Sequence, residues 1–191
     1  VLFSYITWYN WEKNYSKKII FLISILGLGL LFFNFYNLNF KSVFDLIYIL
    51  TSLIGIFTLS SVMFSMILGH WYLNIPNLPV RLIKNSVVLL NYLLFSRLFF
   101  NIIIIIFTKV DSSSIGQISF LDYLQSFEGI MLWVGILFGI IGAIIINILT
   151  IQTINLQSIQ SATGLLYVNL VMIIIGEMVF KFYMIQNNIF L

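Results

Sequence analysis

Three side chains are the ones best placed to do chemistry: the only histidine, His70, an arginine inside one apolar run, Arg97, and a glutamate inside another, Glu177. An imidazole can serve as one axial ligand of a haem, or hydrogen-bond a quinone or a lipid headgroup. A bis-histidine haem would need its second ligand from another chain. Met66, four residues earlier, projects from the same helical face as His70 and cannot reach the opposite side of the iron. The plainer alternative is that His70 lies at the membrane surface and, with Trp71 and Tyr72, fixes the depth of its helix. A guanidinium near the bilayer centre costs about 3 kcal/mol or more, so Arg97 must face a partner or a cavity.

Depth arithmetic names that partner. Arg97 lies eleven residues past the start of an expected span at 86, and Glu177 fifteen past the start of one at 162. At about 1.5 Å per residue their depths differ by roughly 6 Å, within reach of an arginine. Asn101, one turn on, shares the face of Arg97 and can join the network. Lys181, at i+4 from Glu177, is a rival partner, or it snorkels outward. Arg97, Asn101 and Glu177 are therefore expected to act either as glue between helices or as a proton relay. Gln160 is a further candidate contact for a ligand near His70, on the argument that its loop emerges on the same face. No hydroxyl stands beside a base, and neither a metal-ligand cluster nor a phosphate-binding glycine loop occurs, so no catalytic residue and no metal ligand is assigned.

The elements that position these groups follow from composition. The 191 residues are 61% hydrophobic and 8% charged, with a mean hydropathy of +1.10. A soluble domain carries roughly 25% charged residues. Long apolar runs without a period-2 pattern predict an all-α integral membrane protein rather than a barrel. About five transmembrane helices are expected, over about 19–36, 44–68, 86–108, 129–150 and 162–185, as a single domain 1–191. Nine basic and six acidic residues are too few and too scattered for a nucleic-acid surface. The absence of cysteine excludes disulfides and thiolate chemistry. The chain opens on Val1, which leaves room for a further helix upstream, and its two alanines among many Ile, Asn, Phe and Lys suit an AT-rich bacterium or organelle.

Gly69 to Lys84 holds both prolines, Pro76 and Pro79, and is expected to leave the helix as a stiff extended crossover. Residues 109–128 are expected to form an exposed connection with a short surface helix over 118–124. Gln152 to Ser161 reads as a polar link, with Ser161 capping the last helix. Gly135, Gly139, Gly142 and Ala143 form a small-residue stripe for close helix packing, and Asn147 is placed to hydrogen-bond across it. Lys13, Lys17, Lys18, Arg81 and Lys84 fall on one side, against Lys41 and Lys109 on the other, with Lys181 near its edge. That count puts the N-terminus inside and the C-terminus outside, and brings the His70 loop and the Gln152 link out on one face.

Two segments carry a resemblance. Gly69-His70-Trp71-Tyr72-Leu73 with Pro76, Leu78 and Pro79, and Gln160-Ser161-Ala162-Thr163-Gly164-Leu165-Leu166-Tyr167-Val168 with Gly176-Glu177, resemble a group of uncharacterised small polytopic bacterial membrane proteins. Gly176-Glu177 with Lys181 is also similar to the closing helix of the membrane anchors of DMSO-reductase-type enzymes, with lysine where arginine is usual. That second likeness implies a quinol-facing subunit. The expectation overall is a non-catalytic subunit of a respiratory-type inner-membrane complex of a bacterium or organelle. Its partners would be other membrane subunits and the bilayer, and quinone or haem a possible cofactor near His70, Trp71, Tyr72 and Gln160. The alternative is a transporter or channel component with Arg97 and Glu177 lining a path.

Overall fold

A computed structural model describes residues 43–74, 79–107, 109–112, 116–127, 129–187 and 191, together with Leu22 and Ile25. The chain divides into two compact units, 1–46 and 47–191. Apart from the first residues of its first helix, the architecture below is that of the second unit. Among the described residues it is all-α but for one small hairpin. Among the described residues, four helices are long and apolar enough to cross a membrane. The expected span 19–36 lies outside the described residues, of which only Leu22 and Ile25 are seen there, both helical and exposed.

Helix α1 covers Val43–Asn74 and α2 covers Arg81–Phe107. Strands β1 (Lys109–Ser112) and β2 (Gly116–Ser119) pair antiparallel, Lys109 opposite Ser119, and lead into the short α3 (Phe120–Gln125). Helix α4 spans Ile130–Asn155, with its middle, Leu137–Gly142, widened into a π-helical segment. Helix α5 is Ile159–Asn187. At about 1.5 Å per residue, helices of 26 to 32 residues are about 39 to 48 Å long, so they overrun a hydrocarbon core of about 30 Å.

That overrun corrects several expected boundaries. Helix α1 does not stop near 68 but runs through His70 to Asn74, two residues before Pro76, and α2 begins at Arg81, just after Pro79. Gly69–Asn74 is thus helix and not crossover. Hydropathy reports where lipid ends, whereas a helix ends where its backbone donors can be met otherwise. Here the prolines decide, because each lacks a donor and disfavours helix in the residue before it. The Pro79 carbonyl then accepts from the Leu82 amide at 3.0 Å, opening α2. The expected link Gln152 to Ser161 shrinks to Leu156-Gln157-Ser158, turned by Gln157 in the left-handed region (φ 58°). Ser158, not Ser161, precedes α5, and the two hydroxyls lie 3.1 Å apart.

The connection after α2 is less exposed than expected. Ser119 caps α3 through its Oγ, which accepts from the Asp122 amide at 3.2 Å. Phe120, Tyr123 and Leu124 are buried, so α3 is tucked under the bundle rather than laid on its surface. Trp133 of α4 donates its indole N–H to the Leu124 carbonyl at 3.1 Å. Gly129 lets the chain fold back here, since a Cβ would fall 2.1 Å from the Tyr123 carbonyl oxygen.

Two apolar clusters mark the two ends. Ile83 and Val87 of α2, Ile154 of α4, and Ala162 and Leu166 of α5 pack together with Met66, Leu68 and Tyr72 of α1. The α1–α2 and α4–α5 connections therefore share one end of the bundle. The larger cluster runs from Leu90 and Leu94 to Phe120, Tyr123, Leu132, Phe180 and Tyr183 at the other.

Candidate functional site

Small residues bring the helices close enough for the polar groups to meet. On α4 and α5 a Cβ at Gly139 would lie 2.4 Å from the Gly176 Cα, and Gly135 faces Val179 and Phe180. The stripe, expected to pack either a helix of this chain or another subunit, thus packs α5, and backbone contact at that distance tolerates no side chain. Gly69 of α1 meets Thr163 of α5, where a Cβ would be 3.0 Å from Oγ1.

Arg97 and Glu177 are paired: the guanidinium Nη1 donates to the Glu177 Oε1, joining α2 to α5. Arg97 is only 2% exposed and Glu177 13%. The Arg97 Cζ lies 4.9 Å from the ring centroid of Phe180, a cation–π contact. Gly55 of α1 closes the third side, and a Cβ there would sit 3.0 Å from Glu177 Oε1 and 3.5 Å from Arg97 Nη2. Counted from the same end of the bundle, Gly55 is 19 residues from Asn74, Glu177 18 from Ile159 and Arg97 16 from Arg81. Those depths, about 29, 27 and 24 Å, match within one helical turn.

Asn101 lies beside this pair on α2, 3% exposed, and among the described residues neither its amide nitrogen nor its oxygen has a hydrogen-bond partner; the Arg97 Nε lacks one as well. Lys181 is exposed and makes no ion pair with Glu177, which is spent on Arg97. Nearer the end from which those depths are counted, Asn147 of α4 donates to the Val87 carbonyl at 3.1 Å and to Asn91 Oδ1 at 3.2 Å. Asn169 of α5 reaches Asn147 Oδ1 at 3.5 Å. Three helices are thereby tied by one amide ladder. Buried Thr51, Thr58, Thr150 and Thr163 instead return their hydroxyls to the carbonyl four residues back.

His70 is exposed near the end of α1, with Nδ1 3.5 Å from the Tyr167 hydroxyl of α5 and Nε2 3.4 Å from the Asn74 amide. The other candidates around it divide. Trp71 is half exposed at the same end. Tyr72 donates its hydroxyl to the Pro79 carbonyl and so braces the α1–α2 connection. Gln160 is exposed and makes no hydrogen bond to His70.

Gly55, Phe180, Asn91 and Asn169 were not singled out in the sequence, and Tyr167 was named there only within the resembling segment, with no role. A glycine at the depth of Arg97 and Glu177 was a usable signal for Gly55. The others depend on the rotation of each helix, which near-uniform apolar faces do not reveal. No family model, curated protein or solved structure matches the chain.

Proposed function

We propose that this chain is a non-catalytic transmembrane subunit of a larger energy-transducing, respiratory-type complex of an inner membrane, with its histidine end inside. Quinone or lipid would contact it near His70 and Trp71. The observation that carries this reading is how the interior polar groups are used. Arg97 neutralises Glu177, and Asn91, Asn147 and Asn169 bond one another, so these groups join helices. In lipid, where apolar burial does not drive helix association, such contacts and tight glycine seams supply it. His70 and Tyr167 lie together, exposed, at the end where a headgroup or a quinone ring would sit. The likeness of Gly176-Glu177 with Lys181 to quinol-facing anchors points the same way.

The test is recovery of the tagged chain from its native membrane in mild detergent. Other membrane subunits in fixed ratio, with quinone or haem in the preparation, are expected. Recovery as a lone species would reject the subunit assignment.

A second reading has its own observation. The amide of Asn101 and the Arg97 Nε, without hydrogen-bond partners among the described residues and beside a part-buried carboxylate, make a place where water and protons can enter, as in a transport path. Proton or ion flux into liposomes holding this chain alone, lost in Glu177→Gln, would favour it.

A further inference from the structure

Between α1 and α2 runs a groove of about 450 Å³, lined among the described residues by Phe57, Ser60 and Phe64 on one side and Leu82, Asn85 and Leu93 on the other. We propose that it seats one acyl chain of an anionic phospholipid whose phosphate is met by Arg81. Its volume lies within the roughly 300–1,000 Å³ of ligand sites. Its length fits one leaflet. From Asn85, at the depth of the ester carbonyls, Leu93 is eight residues on, about 12 Å along the helix, within the about 15 Å of half a hydrocarbon core.

The polar groups fall where a phospholipid needs them. Arg81 opens α2 and is exposed, at the level of a headgroup. Asn85 is one turn deeper, about 6 Å, on the same edge of the helix, at the level of the ester carbonyls. Its amide is exposed and makes no hydrogen bond within the described residues, which leaves its N–H groups available to donate to an ester carbonyl. Beyond it the lining is apolar. On α1, Trp71 continues the face of Phe57 and Phe64 at seven-residue spacing, 51% exposed, as an interfacial aromatic beside the mouth.

Charge selects the class of lipid. From 46 to 74 and from 81 to 107 there is no acidic residue, and Arg81 has no carboxylate partner among the described residues. A phosphate without a compensating choline or ethanolamine cation suits that mouth best. Lys84 carries the same charge but, two residues from both Leu82 and Ser86, projects from the opposite side of α2 and serves as the control.

The experiment is native mass spectrometry of the purified full chain after exposure to mixed vesicles of phosphatidylcholine and phosphatidylglycerol. One retained phosphatidylglycerol per chain is expected. Arg81→Gln should lower its retention about five-fold, Ser60→Trp should abolish it by filling the groove, and Lys84→Gln should leave it nearly unchanged. Both principal substitutions are at exposed positions, and retained helicity by circular dichroism checks their folding. Equal retention of both lipids, equal losses in Arg81→Gln and Lys84→Gln, or binding that survives Ser60→Trp would overturn the proposal. So would a dimer of the chain dissolved by Ser60→Trp, which would make a second copy the occupant.

Discussion

A carboxylate left in the bundle without its guanidinium has no water to turn to. Arg97→Ala is therefore expected to destabilise the fold by about 3–5 kcal/mol, because Glu177, only 13% exposed, would remain largely enclosed and uncompensated. Replacing both together, Arg97→Leu with Glu177→Leu, should cost much less, since apolar side chains of similar volume also fill the seam. Denaturant unfolding of the single and double variants in detergent checks this, and equal losses would show that the pair is not coupled. Asn101 separates glue from path. With both amide atoms unpartnered, Asn101→Leu should leave stability unchanged or raise it by about 1–2 kcal/mol. If Asn101 hydrates a proton route, the same change would abolish flux while stability is kept.

At the scale of elements, the α4–α5 seam sets how closely the polar partners approach. Gly139→Leu is expected to force the helices apart, since its Cβ alone would fall on the Gly176 backbone, and to cost about 1–3 kcal/mol or more. Gly135→Ala should cost less, because it meets the side chains of Phe180 and Val179, which can turn aside. Thermal unfolding of the two variants ranks them. Asn147→Ala removes the hub of the amide ladder and should cost about 0.5–2 kcal/mol by the same measurement.

These elements also show what a sequence of this kind discloses. The apolar cores of α1, α2, α4 and α5 were legible because, apart from Asp45, Arg81 and Lys84 in the first turns of α1 and α2, no charged residue but Arg97, Glu177 and Lys181 interrupts them. Their ends on the histidine side were not, since there the helices outlast the lipid they cross, whereas 44, 108, 129 and 185 fall within two residues of the opposite ends of α1, α2, α4 and α5. The β1–β2 hairpin was missed although Lys109-Val110-Asp111-Ser112 followed by serines and Gly116 carries a strand-and-turn pattern. Depth along an axis can be counted, and so Arg97 and Glu177 were brought together; rotation about it cannot, and so Tyr167 and Asn169 were not.

For the molecule as a whole, everything assigned to the histidine end depends on one geometrical fact: the connections after α1 and after α4 emerge together. Met66, Leu68 and Tyr72 share a cluster with Ile154, Ala162 and Leu166, whereas α3 packs at the far end with Leu132 and Tyr183. The chain has no cysteine, so single cysteines report position without background. Placed at Asn74, Gln157 and Leu121, all exposed, they can be titrated with an impermeant maleimide in sealed vesicles of known orientation. The bundle predicts that Asn74→Cys and Gln157→Cys react from one face and Leu121→Cys only from the other. Reaction of the first two from opposite faces would contradict it.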